Sequence, residues 1–429
     1  MKEQTTESKP KVFDRYQVFV IAILAILQFT IVLDFMVLSP LGPYLLNELH
    51  ITTKQFGWVV SAYAFSAGAA GLLTAGFADK FDRKKLLLFF YVGFTLGTAL
   101  CALADTYEFM LMARIITGLF GGVIGSISFA IITDLFKMEV RGRVMGFVQM
   151  AFASSQVLGL PIGLYLAGLM GWHAPFWMIA AMCVLIGIAI VMYFKPVTGH
   201  LQLRSDKSAF LHLAHTVSNP NYLKAFAATT LLATGGFMLM PFGSTFGVYN
   251  LGIDVKKDLP MLYMITGVCS MIAGPLVGKY SDAIGKYRIF VMGSILSMVM
   301  VAIYCNLGIT PLYIIIILNV FLFVGISSRM ISASALMTAI PEAKDRGSFM
   351  SVNSSVQQIS GGFASILAGL IVVQTSSGYL ERYDLLGYTV DAAILITIVM
   401  MYFIDKQVKA KTQKAATQQP AVAQPAAIK

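Results

Sequence analysis

The chain has 429 residues, of which 57% are hydrophobic and only 12% are charged, and its mean hydropathy is +0.77. This composition excludes a soluble globular protein and indicates a polytopic membrane protein. The formal net charge of +10 does not indicate a nucleic-acid partner, because the positive residues are confined to certain loops between apolar segments.

The apolar segments predict an all-α fold with twelve transmembrane helices, since a helix needs about 20 apolar residues to cross a bilayer. We number these segments as spans one to twelve. The polar opening residues precede a span too long for a signal-peptide core, so we expect no cleavage. The predicted ranges are 16–46, 56–78, 86–104, 108–133, 143–169, 174–194, 222–249, 259–279, 288–306, 311–338, 348–374 and 386–404.

Lysine and arginine are distributed unevenly between the two ends of the spans. The loops and tails at one end carry 25 of the 31 Lys and Arg residues, and we call this the basic end. The positive-inside rule then predicts that the basic end and both termini are cytoplasmic. The predicted domains are a tail (1–15), a six-helix bundle (16–195), a linker (196–221), a second six-helix bundle (222–405) and a disordered tail (406–429).

The first span carries a carboxylate, Asp34, in the middle of an otherwise apolar stretch. An ionisable side chain at mid-bilayer costs about 2.5 to 3.5 kcal/mol on insertion scales, so it requires a water-filled cavity or a partner charge. At 1.5 Å per residue, Arg114 in span four lies at about the same depth. We predict that the two residues pair, either as a proton-coupling element or as a static brace between helices.

The two halves of the chain repeat each other. The sequence AGFADKFDRKKLLL after span two matches GKYSDAIGKYRIF after span eight, with Asp79 and Asp282 at an offset of 203 residues. Arg141 and Arg346, each followed by glycine, correspond at an offset of 205 in the loops after spans four and ten. Such a duplication predicts two six-helix pseudo-repeats around a central cavity that binds substrate near the midplane.

These loops resemble the signature G-x-x-x-D-R/K-x-G-R-R/K of the major facilitator superfamily. Ala75 and Asp82 stand where the signature has glycine. The chain looks most like the twelve-span drug:proton antiporters and sugar-efflux-like exporters of bacteria. The matching positions are Asp79, Lys80, Arg83 and Lys84, and in the second copy Gly278, Asp282, Gly285 and Lys286.

The resemblance implies roles for several residues. A conformational latch at the basic end would comprise Asp79, Arg83, Asp134, Asp282 and Arg346, although the same positive charges also serve as a topology anchor. In span four, Arg114 and Gly118 match the R-x-x-x-G signature, which makes Asp34 and Arg114 the expected proton-coupling pair. Span five resembles the antiporter motif at Gly159, Pro161 and Gly163, with Leu160 inserted between glycine and proline.

The walls of the predicted cavity carry polar residues. We predict that Gln28 in span one, Arg329 in span ten, and Asn353 and Gln357 in span eleven face the cavity, with Arg329 opposite Gln357. Arg329 either binds a polar or anionic substrate group or braces its helix.

The sequence therefore predicts a monomeric secondary transporter that exports a small amphipathic or drug-like compound in exchange for protons, in the bacterial inner membrane and without a cofactor. The rival of the same fold is a facilitator or proton-coupled transporter of a sugar, lysolipid or other metabolite. A membrane enzyme is disfavoured because no catalytic or metal-binding cluster is evident, and a non-transporting receptor would not need the buried pair. The predicted partners are a small molecule, protons and the lipid bilayer.

Overall fold

Long apolar runs form helices here because a bilayer offers no water to satisfy backbone N–H and C=O groups. The computed structural model describes residues 13–74, 80–202, 216–342 and 345–418. The first half contains α1 (Arg15–Val37), α2 (Gly42–Glu48), α3 (Thr53–Thr74), α4 (Arg83–Ala102), α5 (Tyr107–Leu135), α6 (Met138–Ser154), α7 (Leu160–Met170) and α8 (Ala174–Tyr193). The second half contains α9 (Pro220–Phe237), α10 (Gly243–Tyr249), α11 (Asp258–Ile284), α12 (Lys286–Tyr304), α13 (Leu312–Met337), α14 (Arg346–Ile371) and α15 (Tyr383–Gln418).

The helices account for all twelve predicted spans. Within the described residues, 10 segments are long and apolar enough to cross a membrane, counting α6 and α7 as one. Span seven is not among them because it is divided into α9 and α10, and span eleven is α14, whose polar residues lower its hydropathy. The fold is therefore the predicted twelve-span bundle. A short antiparallel pair, β1 (Val373–Gln374) and β2 (Leu380–Glu381), joins α14 to α15.

Spans one and seven break at equivalent places. The backbone leaves the helix at residues 38–41 between α1 and α2, and at residues 238–242 between α9 and α10. The two short helices then meet, because the Ser39 hydroxyl donates to the Met240 carbonyl and the Asn47 amide donates to the Tyr249 hydroxyl. These contacts join the two halves at the end opposite the basic end.

A second seam between the halves runs along α3 and α14. A Cβ atom on Gly57 would lie 2.8 Å from the Ser365 carbonyl, so the backbones touch where only glycine fits. The Ser61 hydroxyl donates to the Gly362 carbonyl at 2.7 Å, and the Thr53 hydroxyl donates to the Val372 carbonyl at 2.8 Å. Small residues thus allow close packing of the two helices, which matters because lipid provides no hydrophobic driving force for helix association.

The carboxyl-terminal tail differs from its prediction. Disorder was expected from Lys406 onward, but α15 continues to Gln418, well past the predicted end of span twelve. Lys411 donates to the carbonyls of Ala339, Ile340 and Pro341 at 3.3, 2.9 and 2.8 Å, beyond the end of α13. A lysine that satisfies orphan carbonyls at a helix end stabilises that end, which explains how the helical tail is held.

Candidate functional site

Asp34 and Arg114 are in contact, as their equal depth predicts. Arg114 Nη1 lies 2.8 Å from Asp34 Oδ2, and the two side chains are 1% and 0% exposed for Arg114 and Asp34. Asp34 Oδ1 accepts a 3.1 Å hydrogen bond from the Thr98 hydroxyl of α4. Both carboxylate oxygens are therefore satisfied, which a charge removed from water requires.

The guanidinium of Arg114 also contacts an aromatic ring. Its Cζ atom lies 4.6 Å from the centroid of the Tyr63 ring on α3, an arrangement that stabilises a cation. The Tyr63 ring is 5.4 Å from Phe35, and Phe35 is 5.8 Å from Phe237 of the second half. Aromatic contacts therefore connect the buried pair to the opposite bundle. The Nε atom of Arg114 has no hydrogen-bond partner among the described residues.

Glycines bring the helices of the site close enough for these contacts. A Cβ atom at Gly118 would lie 2.1 Å from the Ser66 hydroxyl and 2.5 Å from the Tyr63 carbonyl. A Cβ atom at Gly97 would lie 2.8 Å from backbone atoms of Thr117. Since real Cβ contacts are not this short, α3, α4 and α5 pack here only because these positions lack side chains.

The residues of the predicted antiporter motif lie in a distorted stretch of span five. Between α6 and α7, residues Ser155–Gly159 form a π turn in which the Leu160 N–H donates to the Ser155 carbonyl. Pro161 follows and supplies no N–H, which favours such a local adjustment of the helix. A Cβ atom at Gly159 would lie 2.6 Å from Leu33, next to Asp34, whereas one at Gly163 would make an ordinary 3.4 Å contact with Val37.

The structure describes part of the predicted latch. Arg83 Nε lies 3.1 Å from Asp134 Oδ2, so this predicted ion pair is present at the basic end of α4 and α5. Asp282 is exposed at the basic end of α11. Arg346 begins α14, but its side chain and the whole of Asp79 lie outside the described residues.

Asp82, which replaces a glycine of the family signature, has a structural use. Its Oδ1 atom caps the start of α4 by accepting from the Lys84 N–H at 3.0 Å, and it also accepts from the Val197 N–H at 3.0 Å. The carboxylate therefore ties the loop at the start of α4 to the segment that leaves α8.

The predicted cavity residues lie on three helices, α1, α13 and α14. Gln28 faces α5, with its Oε1 atom 3.8 Å from the Cβ position of Gly125. Asn353 accepts a 2.6 Å hydrogen bond from the Thr229 hydroxyl, which joins α14 to α9. Gln357 is half-buried on α14, and the Arg329 guanidinium lies beside Gly235 of α9.

A small polar cavity of about 40 Å³ lies between the two halves, enough for a few water molecules. It is open to side chains of α3, α5 and α14 rather than to one bundle alone. The lining residues are Ala67, Gly71, Gly122, Ser126, Ser351, Ser354, Ser355 and Gln358.

Sequence reasoning missed two polar residues of the membrane interior. Thr98 was missed because a lone threonine within an apolar helix forms no recognisable sequence pattern. Asp391 was overlooked near the start of span twelve, and its Oδ1 atom is buried without a partner among the described residues. A search for every ionisable residue within the predicted spans would have found Asp391.

Comparison with known proteins places the chain in a family. The model of the Major Facilitator Superfamily matches residues 24–340 and 259–429. The chain is 28% identical to "Uncharacterized MFS-type transporter YceJ" of Bacillus subtilis over 283 residues, which cover 66% of this chain and 71% of that protein. It is 22% identical to "Multidrug resistance protein 1" of the same organism over 382 residues, 87% of this chain and 93% of the relative.

Solved structures agree on the fold. A D-xylose-proton symporter superposes with a TM-score of 0.71 at 16% identity, over 89% of this chain and 97% of that chain. These comparisons indicate a multi-pass inner-membrane transporter rather than an enzyme. The chain belongs to the Major Facilitator Superfamily of membrane transporters.

Proposed function

We propose that the chain exports a small amphipathic or drug-like compound in exchange for protons, by alternating access between its two halves. The buried pair of Asp34 and Arg114 is the observation that carries this proposal. Ionisable residues inside membrane helices are costly and mark ion or proton pathways in carriers. The proposal includes cytoplasmic termini, a monomer as the working unit, and no cofactor besides the proton gradient.

Protonation of Asp34 removes the counter-charge of Arg114. When the carboxylate is ionised, it is the counter-charge of the guanidinium at 2.8 Å. When it is protonated, Arg114 keeps its charge and loses that partner, and a stranded buried charge costs about 3 to 5 kcal/mol. The guanidinium is then driven to move toward another acceptor or water. The Tyr63 ring covers the guanidinium at 4.6 Å, and we expect the ring to follow it, which would couple proton binding to the position of the halves.

The expected substrate is partly apolar because aromatic side chains fill the space between the buried pair and the second half. Tyr63, Phe35 and Phe237 form that contact chain, and flat apolar rings suit compounds of varied shape. Multidrug resistance proteins among the relatives support the same class.

One observation favours a second candidate. Serines and Gln358 surround the water-sized cavity between α3, α5 and α14, and such groups hydrogen-bond to hydroxyl-bearing solutes. A facilitator or proton-coupled transporter of a sugar, lysolipid or other metabolite is therefore the alternative. A panel that contains all of these classes decides between the two candidates.

The test is transport by the full chain in lipid vesicles with an imposed pH gradient, against cationic dyes, sugars and lysolipids. We expect gradient-driven movement of a dye by the wild type and its loss in Asp34→Asn. Because Asp34→Asn also leaves the Arg114 charge without its partner, at a cost of about 3 to 5 kcal/mol, flux is compared at equal amounts of folded protein in the vesicles. Asp384→Asn is the matched control, because Asp384 is an exposed carboxylate in the first turn of α15. Full gradient-driven transport by Asp34→Asn would overturn the proposal.

A further inference from the structure

The second half buries a guanidinium group, and one edge of that group has no hydrogen-bond partner. Arg329 on α13 is 3% exposed, and its Nε and Nη2 atoms have no hydrogen-bond partner in the described chain. These two atoms form the side of a guanidinium that binds a carboxylate through two parallel hydrogen bonds. An unpartnered guanidinium in a membrane interior is strongly destabilising, so this edge requires an acceptor at some stage of the cycle.

The position of Arg329 is informative when the two halves are compared. The equivalent short helices α2 and α10 begin at Gly42 and Gly243. The same offset, applied to Asp34, gives Gly235 as its equivalent position in the second half. A Cβ atom at Gly235 would lie 3.6 Å from Arg329 Nη2 and 3.8 Å from Nη1. The guanidinium therefore lies beside the backbone position where the first half carries its carboxylate. The second half has no side chain at that position.

A carboxylate on a different helix offers the missing acceptor. Asp391 on α15 has a buried Oδ1 atom without a hydrogen-bond partner in the described residues. It precedes Ile394 by one helical turn, and Ile394 lies 3.6 Å from the same Cβ position of Gly235. Asp391 and Arg329 carry opposite charges, and each holds hydrogen-bonding atoms that have no partner among the described residues.

The other ionisable groups around Asp391 are few. α13 contributes Arg329, and the end of α12 contributes the Cys305 thiol. α9 carries Tyr222 and Lys224 near its basic end, and α14 carries only Arg346, at its first residue. Among the described residues of these helices, Arg329 is therefore the one cation that lies away from the basic end.

We propose that Asp391 and Arg329 form a second proton-binding site, in the carboxyl-terminal half, which deepens the proposed function and rests on it. The ionised carboxylate of Asp391 occupies the empty edge of Arg329 in one conformation. In the other, Asp391 turns from the guanidinium, accepts a proton on a carboxylate oxygen from water, and returns that proton to water when the pair closes. The transporter then carries one proton on each half.

The experiment is infrared difference spectroscopy of the full chain in lipid vesicles, stepped through pH without any substrate. Protonated buried carboxyl groups give separate C=O bands. We expect two titrating bands in the wild type, the loss of one in Asp391→Asn and the loss of the other in Asp34→Asn. Asp384→Asn, which removes an exposed carboxylate of the same helix, leaves both bands.

Arg329 variants test the pairing. Arg329→Gln changes the pH range over which the Asp391 band titrates and leaves the Asp34 band in place. If Arg329→Gln fails to fold, Arg329→Lys keeps the charge but loses the planar edge, and the same band shifts. An Asp391→Asn spectrum identical to that of the wild type overturns the inference, and so does an Asp391 band that neither Arg329 variant changes. Absence of the Asp34 band instead contradicts the proposed function alone, so the two failures are distinguishable.

Discussion

The Thr98 hydroxyl lies 3.1 Å from Asp34 Oδ1 and donates to it, inside a site from which water is excluded. The carboxylate of the membrane interior is therefore held from two sides, by a neutral donor on α4 and by a cation on α5. A hydroxyl that donates to a carboxylate favours its ionised form, since the hydrogen bond to a charge is the stronger one.

We predict that Thr98→Val destabilises the protein by about 1.5 to 3 kcal/mol, because it leaves one oxygen of a buried charge unsatisfied. The loss is larger at alkaline than at acidic pH, since the lost hydrogen bond served the ionised carboxylate. Thermal unfolding in detergent at several pH values measures it. Thr95→Val is the control, because Thr95 lies on the same helix and donates to a backbone carbonyl, that of Tyr91, at 2.8 Å. Equal losses in the two variants contradict the prediction.

We predict that Arg114→Lys retains substrate binding but lowers pH-driven transport by about tenfold or more, because lysine lacks the planar group that contacts Asp34 and Tyr63 together. Binding of a fluorescent dye and gradient-driven flux in vesicles separate these effects. Arg143→Lys makes the same change at an exposed residue of the basic end and leaves both unchanged. Normal flux in Arg114→Lys would contradict the prediction, because it would show that a positive charge without the planar group is enough for pH-driven transport.

We predict that Gly118→Ala destabilises the bundle by about 1 to 3 kcal/mol, the cost of overpacking a tight contact. The new methyl group would meet the Ser66 hydroxyl at 2.1 Å and the Tyr63 carbonyl at 2.5 Å, so α3 has to move away from α5. Gly125→Ala is the matched control on the same helix, because its nearest neighbour is Gln28, 3.8 Å away. Thermal unfolding of the two variants should differ, and equal midpoints would contradict this account of the packing.

Much of the fold was predictable because hydrophobic length, loop charge and internal repetition are written directly in the sequence. The depth of Asp34 and Arg114 followed from helical rise, and their contact is present. The repeat predicted two bundles, and the equivalent breaks after Val37 and Phe237 agree with it. The pairing of Arg83 with Asp134 was available only from resemblance to the family.

Other features were beyond the sequence because depth along a helix does not determine rotation about its axis. The contact of the Arg329 guanidinium with Gly235 on α9 is one such feature. The helical tail past Lys406 depends on a tertiary contact of Lys411 that no local propensity reveals. The fit of Gly118 against Tyr63 likewise depends on which faces of two helices meet.

The most direct test of the central claim is the double variant Asp34→Leu/Arg114→Leu, measured for thermal stability and for pH-driven transport in vesicles. Each single variant leaves one member of the pair buried without its partner, and this costs about 3 to 5 kcal/mol if that member stays charged. The double variant removes both charges and is expected to recover that stability. If the pair couples transport to protons, the double variant is stable but moves substrate without responding to the pH gradient. A double variant that is stable and still accumulates or extrudes substrate along with the gradient would contradict the account.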